Sequence, residues 1–251
     1  MLLPVAVLLV IFTIVALVVA LPLADAMSGI TPMKSGPLPG DGIERVVDGY
    51  VSAGLVDVGD GKFALVDAGN DPKGVALVAA LQAHGAALTD VIGIFVTHAH
   101  SDHVAACGLF PNATTYLMSE ELPFALGQQA YTGPIPRMFG ASAAACPHLT
   151  AVADGGSIKV GRRVFSAFLL PGHTPGSAAW RVDGVLFIGD AGSVKVGKGL
   201  VGAPWAFSDD TVQNRASLAA LGQRLADDPP KTVVPAHTGE IDGAALVHFQ
   251  P

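Results

Sequence analysis

The sequence is poor in charged residues, in basic side chains and in cysteine. Only 14% of its 251 residues are charged, and 14 Lys and Arg stand against 21 Asp and Glu, which gives a net charge of −7. An acidic chain lacks the broad basic surface that neutralises phosphates, so nucleic acid is disfavoured as a partner. Two cysteines are too few for a disulfide-stapled scaffold or a four-thiolate zinc site. The hydrophobic share of 51% excludes a disordered chain.

The first 24 residues contain no charged side chain, and Asp25 is the first. Residues 5–21 are apolar except for Thr13, a length near the lower limit for crossing a bilayer. A cleaved signal peptide has a shorter apolar core, and the triplet Ala24-Asp25-Ala26 is a weak cleavage site. The apolar length therefore favours an uncleaved membrane anchor over a cleaved signal peptide.

Three regions follow from this pattern. Residues 1–26 form a hydrophobic N-terminal segment, residues 27–42 an extended linker rich in proline and glycine, and residues 43–251 one domain. The protein is then either membrane-anchored through this segment or secreted to the periplasm or beyond. In both cases we expect the domain to lie outside the cytoplasm.

Strand and helix patterns alternate along the domain. Asp60-Gly61 and Asp183-Gly184 between apolar runs predict hairpin turns. Three residues are expected to cap helices: Asp71, which precedes a proline, Ser119 and Ser208. Strands are expected over residues 46–58, 62–66, 91–96, 114–117, 157–160, 164–170, 177–182, 185–188 and 232–234. This order predicts an α/β fold of two packed sheets with helices outside.

A histidine-rich segment follows the predicted strand at residues 91–96. His98 and His100 point the same way in an extended segment, because side chains repeat every two residues, so together they can hold one metal. Asp102 and His103 follow where the chain turns into a helix and can point at a neighbouring position. The alternative is a solvated histidine-rich loop, but imidazoles and a carboxylate at the end of a buried strand suit a metal of intermediate softness.

Four other polar residues stand at the ends of apolar strands. Asp67, His173, Asp190 and His237 each follow a separate predicted strand. Each alone fits a turn or cap residue, but α/β folds place their sites at the carboxyl ends of strands. We therefore expect these residues to meet the histidine-rich segment.

Together these residues resemble the metallo-β-lactamase superfamily. The resemblance is carried by His98-x-His100-x-Asp102-His103, followed in order by His173, Asp190 and His237, with Asp67 upstream, and it spans roughly residues 43–240. It implies an αββα sandwich of two mixed β-sheets with flanking helices, here preceded by an N-terminal hydrophobic helix. It also implies a dinuclear metal site along one edge of the sheets.

The resemblance assigns a role to each motif residue. The first metal is held by His98, His100 and His173, the second by Asp102, His103 and His237, with Asp190 bridging both and Asp67 orienting a liganding histidine. The implied cofactors are two divalent metal ions. Zinc is the expected metal, and iron and manganese are the alternatives. Neither cysteine falls on a motif position, so the thiolate ligand of some β-lactam-hydrolysing members is not apparent, and Asp190 favours the bridged dinuclear type.

These ligands predict a metal-dependent hydrolase in which a metal-bridging hydroxide cleaves an ester-like bond: a lactone, a carboxylic ester or a thioester. Asp102 is the expected catalytic residue, because it can pass a proton to the leaving group as well as bind metal. Some lactone hydrolases of the superfamily carry a tyrosine shortly after the bridging aspartate, and here Ala191-Gly192-Ser193 follows instead. The alternatives are a phosphodiesterase or nuclease, a β-lactamase, and an iron-dependent persulfide dioxygenase. A non-catalytic binding module is disfavoured, since none of the seven ligands is missing.

The substrate is expected to be a small molecule held by residues 119–148 and 193–208. Candidate contacts there are Arg137, Tyr131 and Trp205, with Phe139 and Phe207 beside them. Elsewhere in the domain, Cys107 and Cys146 form a disulfide if the compartment is oxidising, with two buried free thiols as the alternative.

Overall fold

The described part of the chain comprises Thr13 and residues 20–251 of a computed structural model. Most of the segment predicted as an apolar helix, residues 1–26, lies outside the described residues, and the first described helix is α1 (Leu21–Met27). Of the helices that are described, none has the length and apolar character needed to cross a membrane.

Two mixed sheets form the centre of the fold. The first has seven strands that neighbour one another in chain order: β1 (Gly36–Pro37), β2 (Ile43–Asp48), β3 (Val51–Gly59), β4 (Lys62–Val66), β5 (Val91–Phe95), β6 (Thr114–Met118) and β7 (Leu149–Val152). β1 to β4 pair antiparallel, and β4 to β7 pair parallel.

The second sheet has six strands: β8 (Ser157–Val160), β9 (Arg163–Leu169), β10 (Ala178–Val182), β11 (Val185–Gly189), β14 (Thr232–Pro235) and β15 (Ile241–Asp242). Their order is β15-β14-β11-β10-β9-β8, and only β11 and β14 pair parallel. A separate hairpin joins β12 (Gly192–Lys195) to β13 (Gly199–Gly202).

Helices cover the outer face of each sheet. They are α2 (Val75–Ala83), α3 (Ser101–Val104), α4 (Leu122–Ala125), α5 (Thr211–Arg224) and α6 (Ala244–Val247). One apolar core fills the space between the sheets and contains Phe95, Phe165 and Trp180. A second core packs α2 on the first sheet, and a third packs α5 and α6 on the second sheet. These layers confirm the predicted αββα sandwich.

Hydrogen bonds fasten the two sheets together at one edge. The indole of Trp180 donates to the Val96 carbonyl at 2.9 Å, and the Ala178 N–H donates to the Thr97 carbonyl at 2.7 Å. The Ser52 N–H donates to the Ala236 carbonyl at 2.8 Å. Because these bonds are buried, the ends of β5, β10 and β14 stay at a common edge.

The turns follow the sequence with one exception. Asp60-Gly61 and Asp183-Gly184 have positive φ at both residues, which confirms the predicted hairpins. Residues 46–58 were expected to form one strand, and this prediction is wrong. The chain reverses at Gly49, where φ is 67°, and splits this stretch between β2 and β3.

Two of the predicted helix caps are wrong. Asp210, and not Ser208, caps α5, since its carboxylate accepts the N–H of Val212 and of Gln213 at 2.9 Å each. The Ser208 hydroxyl instead donates to the Pro204 carbonyl at 2.8 Å.

Ser119 does not cap α4, because its hydroxyl donates to the Val152 carbonyl of β7. Asp71 does accept the N–H groups of Lys73 and Val75, but helix α2 begins only at Val75, after Gly74 in the left-handed region.

The stretch expected as a linker is extended but lies along the domain. The Thr31 N–H donates to the Val194 carbonyl at 2.9 Å, and the Val196 N–H donates to the Gly29 carbonyl at 2.7 Å. Further along, β1 pairs with β2, and Leu38 is buried in the core between the sheets. These residues therefore add an edge to the fold.

Cys107 and Cys146 form a disulfide, with their Cα atoms 4.6 Å apart and a sequence separation of 39. The bond joins the 3-10 helix after α3 to the end of the irregular stretch at residues 127–148.

Reducing this disulfide should lower the free energy of unfolding by about 3 to 4 kcal/mol, because a closed loop of this length restricts the unfolded chain. Urea denaturation with and without a reductant measures the loss. The double variant C107A/C146A serves as the control and should not respond to the reductant. Two titratable thiols in the denatured, unreduced protein would contradict the pairing.

Candidate metal centre

The common edge of the two sheets carries every residue that the sequence singled out for metal binding. The histidine-rich segment follows β5, and Asp67 follows β4 in the same sheet. From the second sheet, His173 follows β9, Asp190 follows β11 and His237 follows β14. Residues from five strands thus meet at one place.

Three histidine nitrogens converge in the first group. His98 Nε2 lies 2.9 Å from His100 Nδ1 and 3.1 Å from His173 Nε2. His100 Nδ1 and His173 Nε2 are also 3.1 Å apart. His98 and His173 are completely buried. The three atoms form a nearly equilateral triangle, as the predicted first metal group requires.

A second group lies beside the first. His237 Nε2 is 3.5 Å from Asp102 Oδ2, and His103 Nε2 is 3.9 Å from Asp102 Oδ1. Asp102, His103 and His237 present ligand atoms that lie within 4.8 Å of one another. These are the three residues assigned to the second metal.

Asp190 lies between the two groups. Its carboxylate is 3.2 Å from His103 Nε2, 3.1 Å from His237 Nε2 and 3.6 Å from His173 Nε2. The preceding Gly189 has a φ of 52°, and a Cβ there would collide with the Thr97 hydroxyl. Glycine therefore lets β11 approach β5 closely enough for Asp190 to reach both groups.

In each histidine of the second group, the ring nitrogen that points away from the other ligands, called the outer nitrogen, makes a hydrogen bond to an acceptor. His103 Nδ1 is 2.8 Å from Asp67 Oδ2, and His237 Nδ1 is 2.7 Å from the Tyr50 carbonyl. A carboxylate and a carbonyl only accept, so each Nδ1 carries the proton. Both Nε2 atoms then direct a lone pair into the site when the rings are neutral.

The same logic fixes two histidines of the first group. Thr97 donates its hydroxyl proton to Asp67, and Ser208 donates its hydroxyl proton to Pro204. These hydroxyls therefore accept from His98 Nδ1 at 3.2 Å and from His173 Nδ1 at 3.1 Å. The Nε2 lone pairs of His98 and His173 consequently face each other.

Facing lone pairs repel unless a cation lies among them, so this donor set fits a metal ion. Tetrahedral zinc with Zn–N bonds of about 2.05 Å would place its nitrogens about 3.3 Å apart, close to the spacing of the histidine triangle. Beside this triangle, the buried His103 Nε2 and Asp190 Oδ1 lie 3.2 Å apart, and neither makes a hydrogen bond when His103 is neutral. A second cation bound by both atoms would satisfy them.

Burial keeps the first-group histidines neutral. Desolvation lowers the pKa of His173 to about 3 and that of His100 to about 4, and it holds the pKa of His98 well below its usual range. A neutral imidazole is the form that binds a metal ion.

Carboxylates have the opposite effect on the second group. Burial alone would lower the pKa of His103 and of His237, but nearby Asp190 raises both, with Asp67 and Asp102 adding to the effect on His103. Burial alone would raise the pKa of Asp190, whereas His237 and His103 hold it well below its usual value. Asp190 is therefore ionised.

Asp67 anchors the segment that carries the histidines. Its two carboxylate oxygens accept the Thr97 N–H at 2.7 Å and the Thr97 hydroxyl at 2.8 Å, besides the proton of His103. Asp67 has a φ of 61°, a left-handed conformation in which aspartate and asparagine are enriched. The structure thus places Asp67 where the sequence predicted, behind a candidate ligand.

The candidate substrate contacts differ in position. Tyr131 packs edge-on against His100, with ring centroids 4.4 Å apart, but its hydroxyl donates to Glu121 at 2.6 Å. Trp205 is partly exposed at 44%, and Arg137 is exposed on the 3-10 helix Pro136–Phe139. Of these three described residues, Tyr131 is the one with a ring contact to a candidate ligand.

The two stretches expected to contact substrate are joined to each other. The Ile135 N–H donates to the Ala206 carbonyl at 2.9 Å. The Asp209 carboxylate accepts the N–H groups of Thr132 and Gly133 at 3.0 and 2.7 Å. Residues 127–148 are therefore fixed to the segment that leads into α5.

Sequence reasoning missed several residues that shape the site. Tyr50, Ser208 and Glu121 make their site contacts with residues distant in sequence, and no local pattern marks them. Tyr50 also stacks its ring on His237, with centroids 5.8 Å apart. Thr97 carried a usable signal, because it directly precedes His98.

Comparison with known proteins gives one family. A family model described as the metallo-beta-lactamase superfamily matches residues 46–237. No curated protein sequence matches the chain.

Several solved structures share the fold. A B3 metallo-beta-lactamase, described as the first with an active-site glutamic acid, has 21% identity and a TM-score of 0.65 over 90% of each chain. The Rm3 metallo-beta-lactamase has 22% identity and a TM-score of 0.62, over 84% of this chain and 81% of its own. A metallo-beta-lactamase family protein from Thermus thermophilus has 24% identity and a TM-score of 0.59, over 81% of this chain and 75% of its own.

The stability of the metal-free protein should fall with acidification from pH 6.5 to 4.5. In this range the first-group histidines stay neutral when folded but take up protons when unfolded, which favours unfolding. His103 and His237, whose pKa values are raised, offset part of this loss near pH 6.5 but not below about pH 5.5, where they are protonated in both states.

The variant H173Q tests this effect. It should reduce the slope of unfolding free energy against pH by up to about 1.4 kcal/mol per pH unit in urea denaturation of the chelator-treated protein. H248Q, which alters an exposed histidine outside the site, should keep the wild-type slope. An unchanged slope in H173Q would show that His173 is not held neutral.

Proposed function

The chain belongs to the metallo-beta-lactamase superfamily, and we propose that it hydrolyses an ester-like bond with the aid of two divalent metal ions, zinc first. The observation that carries this proposal is the position of Asp190 between a three-histidine group and an Asp-His-His group. When bound, two such ions supply a hydroxide nucleophile near neutral pH and polarise the oxygen of the bond under attack.

The charges of the site support two ions. Asp67, Asp102 and Asp190 contribute three negative charges, and in the described structure no lysine or arginine forms an ion pair with any of them. Two divalent cations together with one hydroxide balance these charges. The ion-pair partners of these carboxylates among the described residues are histidines, which bind a metal ion in their neutral form, so this balance favours two ions over one.

The residues of the chain hold the site in a fixed arrangement. Each of His98, His103, His173 and His237 is oriented by an acceptor at its outer nitrogen. Such fixed orientation places the ligands before substrate arrives, which reduces the reorganisation needed during reaction.

Asp102 is suited to proton transfer. Its side chain is 19% exposed, more than that of Asp190 at 13%, and it stands next to His237 at the accessible side of the second group. A carboxylate in this position can take the proton of the attacking water and give it to the leaving group. We assign Asp102 this role, besides metal binding.

The ligand set favours an ester-like substrate such as a lactone, a carboxylic ester or a thioester. Both cysteines are joined in a disulfide, so neither supplies a thiolate to the metals. The carboxylate of Asp190 takes the shared position instead.

A phosphodiester substrate is disfavoured by the position of the Arg162-Arg163 pair. Arg163 pairs with Asp183 and Asp41, and Arg162 pairs with Asp57 at 2.9 Å. These contacts neutralise the pair near the Asp60-Gly61 turn. The Asp60-Gly61 turn lies before β4, and the metal centre lies after β4. The arginines are therefore at the edge of the sheet opposite the metal centre.

A β-lactam is the second candidate substrate. It is favoured by the structural neighbours, since all three reported above carry the term metallo-beta-lactamase in their descriptions. Turnover of a panel that holds both a β-lactam and ester-like compounds separates the two classes.

We further propose that the domain lies outside the cytoplasm. The Cys107–Cys146 disulfide supports an oxidising compartment, and the uncharged residues 1–24 support an anchor or a secretion signal. Alkaline carbonate washing followed by N-terminal sequencing separates the two, since a soluble product that begins near Ala26 contradicts the anchor.

Purified full-length protein should contain two zinc ions per chain and should hydrolyse at least one lactone, ester or thioester in a panel that also holds a β-lactam and a phosphodiester. Inductively coupled plasma mass spectrometry measures the metals, and a chelator should abolish turnover. One iron per chain with oxygen consumption would instead indicate the dioxygenase alternative.

The variants D102N and D190N should lower kcat by at least about 10²-fold, because one loses the proton-transferring group and the other the carboxylate shared by both metal groups. H248Q is the matched control and should retain full turnover. Wild-type metal content and turnover in both aspartate variants would refute the proposed centre.

A further inference from the structure

Glu121 is a buried carboxylate that the proposed reaction does not use. It directly precedes α4, and none of its surface is exposed. Its two oxygens accept four hydrogen bonds: Oε1 from the Ala99 N–H at 2.9 Å and the Tyr131 hydroxyl at 2.6 Å, and Oε2 from the Thr174 hydroxyl at 2.8 Å and the Gly176 N–H at 3.1 Å.

The four donors belong to three segments that contact the first metal group. Ala99 stands between His98 and His100, and Thr174 directly follows His173. The ring of Tyr131 packs against His100. One carboxylate therefore ties together the two loops that supply all three histidines and the residue that packs against them.

The contacts favour the ionised form of Glu121. The Ala99 and Gly176 N–H groups only donate, and the Tyr131 and Thr174 hydroxyls are placed to donate as well, so four donors surround the carboxylate. In the described structure no lysine, arginine or histidine forms an ion pair with Glu121, and burial raises its pKa against the lowering effect of the four donors. A buried carboxylate without a counter-ion contributes little to stability, which points to another reason for its presence.

The surrounding backbone is shaped to reach this carboxylate. A Cβ at Gly176 would collide with the backbone of Glu121, so only glycine allows the turn after His173 to approach this closely. The Ser177 hydroxyl also accepts the Thr174 N–H at 3.0 Å, which holds the Thr174 hydroxyl in line with Glu121.

We propose that Glu121 is a positioning residue that holds the three-histidine group in its metal-binding geometry. It acts on this group as Asp67 acts on the second group through His103. The role rests on the proposed metal centre, and it predicts that loss of the Glu121 carboxylate weakens the first metal selectively.

The variant E121Q removes the charge at almost constant volume. The glutamine amide has one oxygen, which accepts, and one NH₂ group, which donates. Its NH₂ group therefore faces two of the four groups that donate to Glu121, and the hydrogen bonds from those two groups are lost. Y131F removes one donor while keeping the ring against His100. E120Q changes the adjacent glutamate, which is exposed, and serves as the matched control.

Zinc affinity of the full-length protein, measured by competition with a chromophoric chelator, tests the proposal. E121Q should bind one zinc 10- to 100-fold more weakly and the other as the wild type does. Y131F should weaken the same ion by a smaller factor, and E120Q should bind both ions normally. The melting temperature of each metal-free variant separates loss of metal from loss of fold.

The outcomes are distinct. If the wild type binds two zinc ions and a folded E121Q binds both equally well, Glu121 has no positioning role. If E121Q does not fold, Y131F decides: normal affinity for both ions overturns the proposal, and selective weakening supports it. If the wild type binds no metal, the proposed function fails instead.

Discussion

The site depends on histidine lone pairs that are held facing one another in a buried space. Imidazoles at this spacing would turn away from each other in a flexible chain, because their lone pairs repel. Here the outer nitrogens of His98 and His173 are fixed by hydroxyl groups that have already donated their own protons elsewhere. The arrangement keeps the metal-free centre under repulsion, which a cation relieves, and this makes the ligand geometry a property of the fold.

Two buried carboxylates transmit this constraint from the sheets to the ligands. Asp67, at the end of β4, holds Thr97 and His103, while Glu121, before α4, holds the loops around Ala99 and Thr174. Each links segments far apart in sequence, and both lie behind the ligands. The αββα layers supply the frame, because hydrogen bonds between the sheets keep the strand ends together.

The candidate ligands could be singled out from the sequence because they are local in pattern. His98, His100, Asp102 and His103 are adjacent, and the other ligands each follow an apolar strand, so strand ends could be matched to one edge. The supporting residues could not be predicted in this way. Ser208 looked like a helix cap by its neighbours, but its hydroxyl is used by His173, 35 residues away. Tyr50 reaches His237 across 187 residues, and no local pattern encodes such a contact.

The hydrogen bonds between residues 132–135 and 206–209 have a consequence for selectivity. Because the two stretches expected to contact substrate are fastened to each other, neither can move outward alone to admit a bulkier molecule. A change of substrate size would then require coordinated substitutions in both stretches.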